Sequence, residues 1–230
     1  MAEILTSAQM RAIEGAAIDS GAVTGLELME RAGAGVVAAL IEAHPELGQG
    51  AHRAAVLCGP GNNGGDGYVI ARLLAERGWA VEVLAWGDRA RLPPDARAMR
   101  EAWDRLGPTA PLHALGDFGF AKPWPEVVVD ALFGTGLTRP MPDEIANVLT
   151  GIDHWHCRVR APCTFVAVDI PSGLCADTGR NLGRVLHADL TVTFHAEKHG
   201  HRLADGPKLC GKRVVADIGL APWDHHRHDA

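Results

Sequence analysis

The chain has 230 residues, 47% of them apolar, and a formal net charge of -6. That length and apolar share suit one large domain with a full core and argue against global disorder. The acid excess, with no concentrated run of Lys and Arg, argues against nucleic acid or an anionic membrane surface as the main partner.

The amino terminus "MAEILTSAQMRAIE" has no basic flank followed by an apolar stretch of signal-peptide type, and no segment is long and uncharged enough to span a bilayer. Five cysteines (Cys58, Cys157, Cys163, Cys175 and Cys210) are odd in number and form no C-x-x-C pair. Reduced thiols in a cytoplasmic protein account for them better than a disulfide framework or a zinc site.

Two helical patterns come first. Thr6 or Ser7 caps "AQMRAIEGAAID", and "GLELMERAGAGVVAALIEAHP" carries apolar residues at Leu26, Met29, Val36, Val37, Leu40 and Ile41. The period then changes. Strands are predicted at 54–58, 80–86, 126–133, 164–170, 189–194 and 213–219, several of them apolar on both faces. Helices are predicted at 66–77, roughly 94–106, and 142–149 or beyond, and the polar end, 222–230, reads as a flexible tail. The expectation is a single domain over 1–230. It is a Rossmann-like three-layer α/β/α sandwich with a mostly parallel sheet, a helical leader and one irregular edge.

In such sheets ligands bind beyond the carboxyl ends of the strands. Four unusual loops fall there: "GPGNNGGDG" (59–67), "GTGLTRP" (134–140), "PSGLCADTG" (171–179) and "HAEKHG" (195–200). The first satisfies G-x-G-x-x-G through Gly59, Gly61 and Gly64, with Asp88 near where a ribose acid would sit. Asp66 weakens that match, because a pyrophosphate wants amides and no carboxylate. No Lys-Ser or Lys-Thr closes the glycine run, which excludes a Walker loop. The plain structural alternative makes the glycines positive-φ turn residues and Asp66 a helix cap. The amides at a helix amino end, with Asn62 and Asn63 beside them, also suit an anionic ligand.

The ordered set "TSAQMRAIE", "GPGNNGGDGYVIARLLAERGWAVEV", "VVDALFGTGL", "VAVDIPSGLCADTG", "TVTF…K" and "DIGL" resembles the NAD(P)HX epimerase family, which includes the apolipoprotein A-I-binding protein. The resemblance implies epimerisation of a nicotinamide dinucleotide hydrated at C6, with no redox cofactor. It also implies one potassium ion per subunit, a homodimer, and functional pairing with a dehydratase that would be a separate polypeptide here. Residue by residue, it implies substrate contacts from Asn62, Asn63, Gly64, Gly65 and Asp66, from Gly134, Thr135, Gly136, Leu137, Thr138, Arg139 and Pro140, and from Asp169 and Lys198. Potassium would take Asn63, Asp130 and Ser172.

Each residue also has a structural reading. Asp130 caps a turn, Asp169 starts the "PSG" turn that Ser172 joins, and Lys198 is a solvated loop lysine beside surface histidines. For the proton carrier the choice is Asp169, with Asp66 second, on the expectation that partial dehydration raises a carboxyl pKa toward neutrality. Cys175 stands where the family usually has an acid. A nicotinamide-dependent oxidoreductase and a non-catalytic nucleotide- or protein-binding module remain alternatives.

Overall fold

The computed structural model describes residues 4–115, 120, 122–159 and 162–224. Among them, seven strands form one parallel sheet: β2 (Arg53–Cys58), β3 (Ala80–Ala85), β4 (Thr109–Pro111), β5 (Val127–Ala131), β6 (Thr164–Val168), β7 (Leu190–Phe194) and β9 (Lys212–Ala216). Their spatial order is β4-β3-β2-β5-β6-β7-β9. The chain runs outward from β2 to β4, then returns to start again at β5 on the other side of β2. The β2/β5 boundary is therefore the topological switch point, where open parallel sheets leave a crevice at the strand ends.

Strand alternation builds the three layers. Ala54, Val56 and Cys58 of β2, with Val127, Val129 and Ala131 of β5, pack against α1 (Ser7–Asp19), α2 (Gly25–Ala43), α3 (Asn62–Glu76) and α4 (Pro94–Trp103). Ala55, Leu57, Val128 and Leu132 face the opposite side, where α5 (Asp143–Val159) contributes Ile145, Leu149, Ile152 and Trp155. Burial on both faces explains why these strands read as unbroken apolar runs.

Several expected boundaries shift. The strand expected at 164–170 ends at Val168, because Asp169 turns into the left-handed region with φ of 66°. The helix expected at 142–149 or beyond does continue, to Val159, so most of "GIDHWHCRVRAPC" is helical, with residues 160 and 161 outside the described ones. Two short strands were not anticipated: β1 (Ile4–Leu5) pairs in parallel with β8 (Glu197–Lys198). Two and three residues carry too little pattern to be read from sequence. The short strand β4 was missed for the same reason. Of the tail expected at 222–230, Asp224 is buried and bonded to His195 Nε2 at 2.8 Å; residues 225–230 lie outside the described ones.

Thr6, rather than Ser7, caps α1, and Thr24 caps α2; each forms a reciprocal capping box, with Gln9 and Glu27 respectively. Thr24→Ala removes the oxygen that accepts from the Glu27 amide and should cost about 1 kcal/mol. Thermal melts should show a fall of roughly 2–4 °C for a chain of this size.

Candidate functional site

The loop after β2 is tighter than the sequence suggests. Helix α3 begins at Asn62, so Asp66 sits inside the helix and is not its cap; Gly61 holds that position and offers no side-chain bond. The first amides of α3 are thus left to a ligand. The glycines also act differently from the positive-φ expectation. None of Gly59, Gly61, Gly64, Gly65 and Gly67 has positive φ; four of them are small because neighbours press on them. A Cβ on Gly59 would stand 1.7 Å from the Leu132 carbonyl oxygen, and one on Gly64 would stand 2.1 Å from the Gly59 carbonyl oxygen. Gly65 abuts the Met29 sulfur and Gly67 abuts Ala131. Close packing against neighbouring elements keeps these positions bare, despite about 1 kcal/mol of lost helix propensity at each of Gly64, Gly65 and Gly67.

A cavity of about 430 Å³ opens at the switch point. Asn62, Asn63 and Asp66 line it from α3, Gly134 to Leu137 from the loop after β5, and Asp169 from the end of β6. A second cavity of about 320 Å³ shares Pro60, Phe133, Gly136 and Leu137 with it and adds Trp86, Thr138 and Arg139. Volumes in this range suit small-molecule ligands. Pro140 lines neither cavity, and Gly64 and Gly65 lie behind the wall. The structure also brings in residues that the sequence did not flag: Arg11 and Glu14 of α1, Pro60, Pro93, Phe133 and Phe194.

Asp169 is the most constrained group. Its Oδ1 accepts from Lys198 Nζ and Thr193 Oγ1, both at 2.8 Å, and its Oδ2 accepts from the Thr135 amide at 3.2 Å. Lys198 is fully buried behind it, and Nζ also donates to Thr193 Oγ1 and the Phe194 carbonyl. His201, buried as well, donates from Nε2 to the Asp169 carbonyl and accepts the Lys198 amide at Nδ1. Burial also lowers its pKa, which keeps that neutral tautomer. Lys198 is therefore not a solvated loop lysine, nor are His195 and His201 surface groups. The pKa direction expected for Asp169 is reversed. Burial pushes it up, but the Lys198 charge and hydrogen bond outweigh that, so it lies below the ordinary carboxylate value.

Two other carboxyls go the opposite way. Burial, reinforced by Asp169 and Glu14, raises the Asp66 pKa well above normal. A neutral Asp66 removes the objection that a carboxylate there would repel an anion at the amino end of α3. Burial and the Asp169 charge raise Glu14 to about 7, against the opposing pull of Lys198 and Arg11.

Beneath the rim, Ser172 Oγ donates to Asp130 Oδ1 at 2.6 Å and accepts the Phe133 amide at 2.8 Å, while the Ser172 amide donates to Asp130 Oδ2. Asn63 approaches from α3: its Oδ1 and Asp169 Oδ2 flank Gly134, 2.8 and 3.1 Å from where a Cβ would stand. The Asn63 side-chain nitrogen is buried without a hydrogen-bond partner.

Residues 25–200 match the family described as YjeF-related protein N-terminus. The chain belongs to that family. It is 46% identical over 235 residues to the NAD(P)H-hydrate epimerase of Roseobacter litoralis, covering 96% of this chain and 100% of the relative. With the protein of the same name from Rhodobacter capsulatus it shares 50% over 228 residues, at the same coverage of both. A longer relative, the bifunctional NAD(P)H-hydrate repair enzyme Nnr of Escherichia coli, is 40% identical over 210 residues, which are 90% of this chain and 38% of that protein. Among solved structures, a yeast protein, ynu0 (YNL200c), superposes with a TM-score of 0.69 at 23% identity, covering 93% of this chain and 87% of that one. That likeness shows that the two chains share a fold.

Proposed function

We infer that this chain is an NAD(P)H-hydrate epimerase, an isomerase that interconverts the R and S forms of a reduced nicotinamide dinucleotide hydrated at C6. The observation that carries the reading is end-to-end identity of 46% and 50% to relatives bearing that name. A cavity at the sheet's switch point, with an uncapped helix amino end for a diphosphate and an ionised carboxylate, Asp169, to stabilise a cationic ring, supports it.

The reaction needs the C6 hydroxyl to leave as water, assisted by the lone pair on ring nitrogen N1, and water to return on the other face. Asp169, held ionised by Lys198, faces the ring and stabilises the iminium cation by charge. Its orientation is fixed by Thr193 and the Thr135 amide. Asp66, kept protonated, donates to the substrate without repelling its diphosphate. The amides of Asn62, Asn63 and Gly64, which make no bond within α3, hold the rest of the dinucleotide with the 134–137 loop, while the Gly65 amide donates to the Gly61 carbonyl and closes the first helical turn. Thr138 and Arg139, with Pro140 closing the loop, serve the part lodged in the second cavity.

The donors beneath the rim fit a potassium ion. They are all oxygen, with one carboxylate, Asp130, whose pKa burial raises although Ser172 and the Leu132 amide donate to it. Asp130, Ser172 and Asn63, the last through its side-chain oxygen, would hold the ion, since a hard monovalent cation takes oxygen donors of this kind. When bound, the ion supplies a fixed positive charge that offsets a buried carboxylate. A homodimer in the cytoplasm, acting in sequence with a dehydratase, completes the reading; the bifunctional relative supports that pairing. Among the described residues no helix is long and apolar enough to cross a membrane.

The test follows separated R-hydrate by chromatography. The purified chain should equilibrate it with the S form faster than the spontaneous reaction, and several-fold faster in potassium than in a large organic cation. Asp169→Asn should remove at least about 100-fold of the rate. Equilibration at the uncatalysed background by the wild-type chain would refute the reading.

A further inference from the structure

Glu14 lies outside the strand-end loops, on the leader helix, yet it lines the main cavity. It also lines a third, smaller cavity of about 120 Å³, together with Asp66, Asn62 and Phe194, which are shared with the main one, and with Leu28, Asp95 and Ile218, which are not. Asp169 lines only the main cavity. Glu14 and Asp66 therefore stand at the junction of a substrate-sized space and a side space with room for several waters. Among the described residues no hydrogen bond engages the Glu14 carboxyl, whereas Asp169 is bonded on both oxygens.

We propose that Glu14 is a catalytic acid–base of the epimerisation, exchanging the proton that travels with the C6 hydroxyl and acting on water held in the side cavity it shares with Asp66. The inference rests on the epimerase reading. As a carboxylic acid, Glu14 gives its proton to the C6 hydroxyl. The C6–O bond breaks while the N1 lone pair becomes the second bond of an N1=C6 iminium, leaving water and the Glu14 carboxylate. In return, a water oxygen bonds to C6 from the other face, the π pair goes back to N1, and the carboxylate takes the water's proton. Nothing is oxidised or reduced, and no co-reactant beyond water enters.

The surroundings suit that role. The groups facing Glu14 are Asp169 from the end of β6, Lys198 from β8, Asp66 from α3, Arg11 from its own helix, and Asp95 of α4 across the side cavity. Desolvation and Asp169 raise its pKa to about 7, so near neutrality both the acid and the base form are populated. Asp169 is held ionised and is bonded on both oxygens, and burial pushes Asp66 toward its neutral form, so Glu14 is the carboxyl of the three left to exchange a proton.

The test uses the full chain on separated R-hydrate between pH 5.5 and 9. Glu14→Gln should slow equilibration by about 10²–10⁴-fold and slow incorporation of labelled oxygen from water at C6 in parallel. Affinity for intact reduced dinucleotide should stay within about threefold, since the charged anchors are untouched. Glu14→Asp should restore part of the rate with a displaced pH profile, which a merely structural role would not produce. If the wild-type chain works and Glu14→Gln retains most of the rate with an unchanged profile, the inference falls and the epimerase reading stands. If the wild-type chain itself does no better than background, both fall. Should Glu14→Gln fail to fold, carbon-13 titration of the wild-type carboxyl decides: a midpoint near neutrality supports the proposal, and none between pH 5.5 and 8.5 overturns it.

Discussion

Lys198→Met is expected to destabilise the fold by about 3–5 kcal/mol, because it strands the buried Asp169 carboxylate without its cation. Melting should drop on the order of 10 °C. Asp169→Asn should do the same from the other side, leaving a buried ammonium bonded only to Thr193 and the Phe194 carbonyl. Replacing both residues together should recover much of the loss, since no unpaired charge remains, yet it should restore no activity. A double-mutant cycle read by denaturant unfolding and by the hydrate assay separates the two roles. Additive losses would mean that the pair is not coupled. The pH dependence has a definite sign. The folded pKa of Asp169 is depressed below 3.8, so its contribution is present above that value and is lost as pH falls through the lower folded one. Wild-type stability should therefore decline steeply in acid, while Asp169→Asn loses that part of the dependence.

The sheet and its rim were legible because parallel strands covered on both faces leave unbroken Val- and Leu-rich runs, and because odd loops stood at their ends. Asp66, Asp169, Asn62 and Asn63 fall on that rim. What pattern could not supply was the sign of each carboxyl's pKa. Asp169 and Asp66 look alike in sequence, and they diverge chiefly because Lys198, in the short pairing of β1 with β8, folds under one of them. Lys198 read as a solvated loop residue for the same reason: a two-residue strand has no period. Glu14 stands on a helix, away from the strand-end loops where ligand contacts are expected. A signal was available, since Met10, Ile13 and Ala17 form the buried stripe of α1 and Glu14 is a charged residue placed against that stripe. Acids on an apolar face either pair or work. The sequence suggested turns for the glycines after β2, whereas contact with Leu132, Gly59, Met29 and Ala131 is what keeps them bare. Contacts of that kind come from tertiary packing and leave no local mark.

Gly59→Ala tests that distinction. If the residue were present for backbone freedom, alanine would be harmless, because φ here is not positive. The steric account predicts the opposite. The new methyl would sit 1.7 Å from the Leu132 carbonyl oxygen and 2.6 Å from its carbon, and neither is a flexible side-chain tip. Both backbones are fixed by the β2/β5 ladder, and the Gly59 amide already donates to the Ala131 carbonyl. The clash must push the chain from Leu132 onward away from α3. Overpacking against backbone should cost about 3 kcal/mol or more. The displaced segment also carries the Thr135 amide that orients Asp169, so the variant that does fold should lose most of its epimerase rate. Gly136→Ala is the matched control on the same rim, since nothing stands within 4 Å of its added carbon. Its unfolding midpoint should stay within about 0.5 kcal/mol of wild type. Equal stability of the two variants would show that the close approach of these loops, on which the cavity's shape depends, is not what holds Gly59 in place.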